Sequence, residues 1–184
     1  VTEEQRAQAE PAEPLHPAVP KIEALVGPVA VAQAHGETTI TVPAARIRDV
    51  ARLLRDDPAL AYNQLADLTA VDRLALGETP RFIVVYHLLS HRRRERLRLH
   101  APVPSDDAPA IDSVVPVWRA ADWLEREVFD MFGIRFEGHP NLARLIMPDD
   151  FEGHPLRKDF PIGLEEVEFT HTIGHMGREP SAAS

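Results

Sequence analysis

The sequence predicts an α+β fold: a two-layer domain with helices packed on a mostly antiparallel sheet, followed by an irregular, extended C-terminal arm. Three observations carry this. Apolar residues recur at helical spacing in three separate stretches. Runs rich in β-branched and aromatic residues lie between them, giving the order helix, two strands, helix, three strands, helix. Beyond the last helix the chain is too rich in Gly, Pro and His to be ordinary core.

Residues 1–17 read as a flexible N-terminal segment. Up to Leu15, Glu, Gln, Ala and Pro dominate, and so few large apolar side chains cannot offset the entropy of ordering. The globular domain is placed at 18–133. Val19, Ile22, Leu25 and Val26 set a short helix over 18–26. His35-Gly36-Glu37 joins 29–34 to 38–42 as a hairpin. Pro43 then opens a helix over 44–55, where its missing N–H does no harm, and Ile47, Val50, Leu53 and Leu54 share the face that lies across the sheet. Asp56-Asp57-Pro58 ends it.

Strands follow at 64–71, 82–89 and 96–100. Phe82-Ile83-Val84-Val85-Tyr86 is the most apolar run of the chain and the candidate for the sheet centre. The stretch Ser90-His91-Arg92-Arg93-Arg94-Glu95 reads as a hairpin tip with solvated arginines, suited to an acidic neighbour. Residues 102–116, rich in Pro, Asp and Ser, read as a long loop. Trp118 and Trp123, on either side of the next helix start, are expected in the core.

Composition narrows the function. With no Cys there is no disulfide, no thiolate nucleophile and no Cys-ligated iron–sulfur cluster in this chain. A formal charge of −9 and the lack of aromatics between the tip arginines argue against nucleic acid. No apolar run approaches a membrane span and no leader-like start is present, so the expected setting is cytoplasmic, reaching a membrane only through partners.

The stretch 123–161 organises the rest. Asp122 stands three residues before Glu125, a plausible N-cap with an acidic partner, and Gly133 stands where a left-handed C-terminal residue is needed, which places a helix at 123–132. Leu124, Val128, Phe129, Met131 and Phe132 form a broad apolar arc. Arg126, Glu127 and Asp130 gather opposite, with Arg126 and Asp130 spaced to pair. Glu125 falls inside the apolar arc. It either caps the helix or is a buried carboxylate needing an Arg from elsewhere; the expectation is burial with an Arg partner.

After the helix comes a near repeat, Phe136-Glu137-Gly138-His139-Pro140 and Phe151-Glu152-Gly153-His154-Pro155. Each His before Pro is biased to extended backbone, and each Gly permits the turn before it. Two imidazoles could ligate a metal with Asp149 or Asp150, as in a free-standing metal-dependent hydrolase. The favoured reading is that the rings bond backbone carbonyls and lock the turns. No nucleophile with its base and no phosphate-cradling Gly loop is found, so no residue is assigned as catalytic, cofactor-binding or metal-binding.

Glu125-Arg126-Glu127, Asp130, Phe132-Gly133-Ile134, Phe136-Glu137-Gly138-His139-Pro140 and Gly153-His154-Pro155-Leu156-Arg157-Lys158-Asp159 together resemble the signature of the C subunit (30-kDa-subunit family) of bacterial type I NADH:quinone oxidoreductase, respiratory complex I. Two departures stand out. Ala143 occupies a position usually basic, with Arg144 beside it, and Phe160 one that is commonly Tyr.

The resemblance implies a component of the peripheral arm without its own redox centre. It would pack against the D-subunit homologue that helps form the quinone site, near the B and I homologues, on the cytoplasmic side of the membrane. The complex so implied uses NADH, FMN, iron–sulfur clusters and quinone, none held by this chain. Membrane-bound hydrogenases and other ion-pumping dehydrogenases contain a similar domain and form the alternative. On this reading 134–184 is a partner-binding arm and tail. Phe136 and Phe151 would anchor it, Arg157, Lys158 and Asp159 would supply charged contacts, and Arg144, Asp149, Pro155 and Leu156 complete the signature surface.

Overall fold

The computed structural model of the chain describes residues 16–161; the expectations for 1–15 and for the tail 162–184 lie outside the described residues. Among the described residues the helices are α1 (Ala18–Val26), α2 (Ile47–Asp56, entered through a 3-10 turn at Ala44–Arg46) and α3 (Ala121–Phe132). The strands are β1 (Ala30–Ala34), β2 (Glu37–Thr41), β3 (Gln64–Asp72), β4 (Phe82–Ser90), β5 (Glu95–Val103), β6 (Ala110–Asp112) and β7 (Arg135–Glu137). The α+β expectation holds.

The first five strands form one sheet in the order β1-β2-β5-β4-β3. Every pairing in it is antiparallel except β2 with β5, where Ile40 lies opposite Leu99 in a parallel register. The middle strand is therefore β5, not the more apolar β4. The reason is that helices cover only one face: Leu97, Leu99, Ala101 and Val103 of β5 point inward while Arg96, Arg98 and His100 point out, so a central strand here alternates instead of running apolar throughout. Phe82, Val84, Tyr86 and Leu88 of β4 line the same inner face.

β3 keeps its hydrophobic side inward by a bulge between Leu65 and Asp67. The extra residue, Ala66, lets Leu65 and Leu68 both face the core although they are three apart. Ile47, Val50, Ala51 and Leu54 of α2, Val19 and Ile22 of α1, and Val128, Met131 and Phe132 of α3 complete one hydrophobic cluster with this face.

Two further expectations are corrected. The 102–116 loop contains β6, which pairs in parallel with β7, Ile111 opposite Phe136. A three-residue strand shows no period, and its partner lies beyond α3, so nothing local announced it. His16, assigned to the flexible start, is buried: its Nε2 is 2.7 Å from Glu95 Oε1 and 3.1 Å from the Tyr62 hydroxyl.

Candidate functional site

The segment after α3 has little regular structure, as expected, but it lies on its own domain, held by buried charge. Asp130 is the first anchor. Periodicity places it on the solvent side of α3, yet it is fully buried. Its Oδ2 accepts the N–H groups of Leu145 (3.0 Å), Ile146 (2.7 Å) and Met147 (2.9 Å), and its Oδ1 accepts Arg144 at 2.7 Å. Burial alone pushes this carboxyl up, but the N–H groups of Met147, Ile146 and Leu145 and the Arg144 guanidinium outweigh it and hold its pKa at about 2.

Arg144 continues to the carbonyls of Phe151 (2.9 Å) and Gly153 (3.2 Å), so the residue beside Ala143 ties the second copy of the repeat to Asp130 of α3. The expected Arg126–Asp130 pair is absent. Arg126 donates to the carbonyls of Ala143 and Arg144, both at 3.1 Å, and lies against the Trp123 ring. An exposed i,i+4 pair is worth only a few tenths of a kcal/mol, on the order of 0.3, and loses to a loop that offers Asp130 both charge and aligned amides. Glu127 is exposed.

Both imidazoles sit on carbonyls of α3: His139 Nε2 is 3.1 Å from the Asp122 oxygen and His154 Nδ1 is 2.9 Å from that of Asp130. They thus lie at opposite ends of one helix. Asp149 and Asp150 are exposed, and no group of three potential metal ligands forms among the described residues. Gly138 and Pro140 are exposed at the first turn, and Gly153 adopts φ +94 before His154 at the second.

Glu125 is buried as expected, but an Arg does not pair with it. Its Oε1 accepts the Val114 N–H at 2.7 Å, while Oε2 has no hydrogen-bond partner and lies 4.0 Å from His139 Nε2. Burial pushes its pKa up to about 7. There is no capping box either. α3 starts at Ala121 with no side-chain cap, and its first two amides, of Ala121 and Asp122, are already engaged by the backbone carbonyls of Trp118 and Arg119.

Sequence reasoning missed the second anchor. Arg81 forks onto Asp72 (2.9 and 2.7 Å) and onto Asp159 (3.0 and 2.7 Å), and Asp72 also accepts the Lys158 N–H at 2.9 Å. Burial pushes Asp72 up, but Arg81 with the Lys158 and Leu74 amides prevails and holds its pKa at about 2. A signal existed: opposite charges stand where the β3–β4 hairpin leaves and re-enters the sheet. Arg157 donates to the Phe132 carbonyl at 2.6 Å and lies over the Phe82 ring.

The apolar and charged residues expected to reach a partner are thus largely engaged within the chain. Phe132 and Phe136 are core, and Phe151 is half-buried against Phe160. The half-buried Pro155 leads to Leu156, whose N–H bonds the Met131 carbonyl while its side chain stays 50% exposed. Trp118 is buried with its indole N–H on the Tyr62 carbonyl, but Trp123 is 62% exposed, contrary to expectation: it projects from α3 on the side away from the sheet. Ile146 is 58% exposed on the loop that Asp130 holds.

Gly133 ends α3 at φ +71, as its position predicted. A Cβ there would collide with the His154 ring and the Arg157 guanidinium. Gly133→Ala is expected to cost about 1–2 kcal/mol from the left-handed backbone alone, with the collision added. Urea unfolding of the full chain measures it.

This is an α+β architecture of the kind found in respiratory complexes. It resembles the trypsin-resistant fragment of Nqo5 (TM-score 0.57, 30% identity, covering 67% of this chain and 95% of that one). It also resembles a chain of the membrane-bound sulfane sulfur reductase, an archaeal respiratory membrane complex (TM-score 0.62, 27% identity, 78% and 84% covered). The chain belongs to the family described as respiratory-chain NADH dehydrogenase, 30 Kd subunit, which it matches over residues 40–166. Its relatives include the NADH-quinone oxidoreductase C subunit of Citrifermentans bemidjiense, 54% identical over 69% of this chain and 76% of that protein. The C subunit of Roseiflexus castenholzii is also 54% identical, over 73% and 76%.

Proposed function

We propose that this chain is the C subunit of a proton-pumping NADH:quinone oxidoreductase, seated in the peripheral arm against the D-subunit homologue and near the B and I homologues. The observation that carries the reading is the 54% identity to NADH-quinone oxidoreductase C subunits over 127 and 135 residues. The chain contributes structure, while NADH, FMN, iron–sulfur clusters and quinone are handled by its neighbours. The lack of Cys supports this division, since thiolates are the usual cluster ligands. No described helix is long and apolar enough to cross a membrane. Attachment to the cytoplasmic face runs through partners.

The surface offered to a partner is what the fold leaves uncovered: Trp123, Ile146 and Leu156 along α3 and its wrapping segment, with Val71, Leu74 and Leu76 at the far end of β3. The likeness to the sulfane sulfur reductase complex favours one rival, an equivalent component of another ion-pumping complex. Affinity purification of the tagged chain from its own cells, followed by mass spectrometry, separates them. Co-purification of the D, B and I homologues with NADH-oxidising subunits is expected. Recovery with hydrogenase or sulfur-reductase subunits, or of the chain alone, overturns the proposal.

A further inference from the structure

Glu125 combines features that a merely structural carboxylate lacks. It is fully buried, one oxygen is bonded and the other is not. Around it stand Asp122 on its own helix, His139 from the turn after β7, Ser113 just after β6, Arg48 from α2, and Tyr86 from β4, with Asp112 acting on Tyr86 from the end of β6. The Tyr86 hydroxyl is likewise buried with no partner, and Glu125 is the first of the charges that oppose its ionisation. Arg48 is already engaged by the carbonyls of Ser113 (3.0 Å) and Glu137 (2.9 Å) and by Asp112 (3.6 Å). No cation therefore compensates Glu125 directly.

The Ser113 hydroxyl faces the carboxylate too, but His139 is the group that ties Glu125 to a separate turn of the chain. Its imidazole is fully buried, and Nδ1 accepts the Asn141 N–H at 3.0 Å, so Nε2 carries the ring proton. That N–H points to the Asp122 carbonyl at 3.1 Å, with the unbonded Glu125 oxygen 4.0 Å away. We propose that Glu125 and His139 form a proton-driven switch. With Glu125 protonated, His139 holds the start of α3 through the Asp122 carbonyl. When Glu125 releases its proton to solvent, the same Nε2–H turns from the Asp122 carbonyl to the unbonded carboxylate oxygen, so the turn at 138–141 shifts its hold from the backbone of α3 to a side chain of the same helix. The device belongs to the chain itself, whatever complex receives it.

The sign follows from burial. A carboxyl whose pKa is raised on folding contributes stability that is complete below its unfolded value and lost as pH climbs through its folded value, about 7. The full chain, carrying 13C-labelled Glu and 15N-labelled His, is titrated by NMR between about pH 5 and about pH 9. One Glu carboxyl is expected to titrate far above the others, and the His139 Nε2 proton resonance is expected to shift at the same midpoint. E125Q is expected to fix that resonance in its low-pH position, and to raise Tm more at the alkaline end than at the acid end. All glutamates titrating together, or a high-titrating carboxyl that leaves His139 unmoved, overturns the switch. The wild-type titration decides even if E125Q does not fold.

Discussion

Asp130→Ala is expected to destabilise the chain by about 3–5 kcal/mol, because it strips the Arg144 charge and three aligned amides of their shared acceptor in a buried site. Against a total stability of roughly 5–15 kcal/mol, that is a large share. Urea unfolding of the full chain gives the magnitude. Limited proteolysis gives the location, with new cleavage expected within 142–153. A loss under about 1 kcal/mol, the range of an exposed ion pair, contradicts the assigned role. The pH dependence has a definite sign. Asp130 is held at about 2, so its contribution is complete above the unfolded value near 4 and disappears as pH falls towards 2. In Asp130→Asn that part of the acid limb is expected to flatten.

Arg81→Ala is expected to cost about 3 kcal/mol, since it leaves the buried Asp72 carboxylate with amides alone. The Asp159 arm adds little by itself, being half exposed. Asp72 is held at about 2 in the intact chain and so stabilises it above pH of about 4. Without Arg81, burial pushes that carboxyl up, and acid unfolding is expected to begin at higher pH. Arg81→Lys discriminates further: it restores charge but not the double fork, and only partial recovery is expected. Equal acid profiles for wild type and Arg81→Ala would show that Asp72 does not depend on this guanidinium.

What the sequence disclosed and what it withheld divide by range. The helix at α2, the β1–β2 hairpin and the β4 run are set by neighbours in sequence, and Ile47, Val50 and Leu54 alone specify the buried face of α2. His139 and His154 were also readable, because a His between Gly and Pro has few roles beyond bonding nearby backbone. Asp130 and Trp123 were misplaced for opposite reasons. Helical periodicity treats the face away from the sheet as solvent, but residues 142–153 cover the Asp130 end of it, whereas Trp123 was placed in the core for its size although it lies on the end of that face left bare. The Asp159 arm of the Arg81 clasp joins residues 78 apart, and the parallel β2–β5 joint places Thr39 beside Arg98; no local pattern encodes either. Glu125 was correctly buried, yet assigned the wrong partner, since a lone carboxylate can also be accommodated by keeping its proton.

The spacing within the clasp has a consequence for the order of assembly during translation. Asp72 meets Arg81 only nine residues later, as the hairpin closes, while the Lys158 amide arrives 86 residues later. A ribosome emitting roughly 5–20 residues per second would leave the β3 border without its final cover for several seconds. Through that interval the carboxylate is already neutralised by its hairpin neighbour. The nascent sheet thus waits for its last segment with a fork in place to catch it.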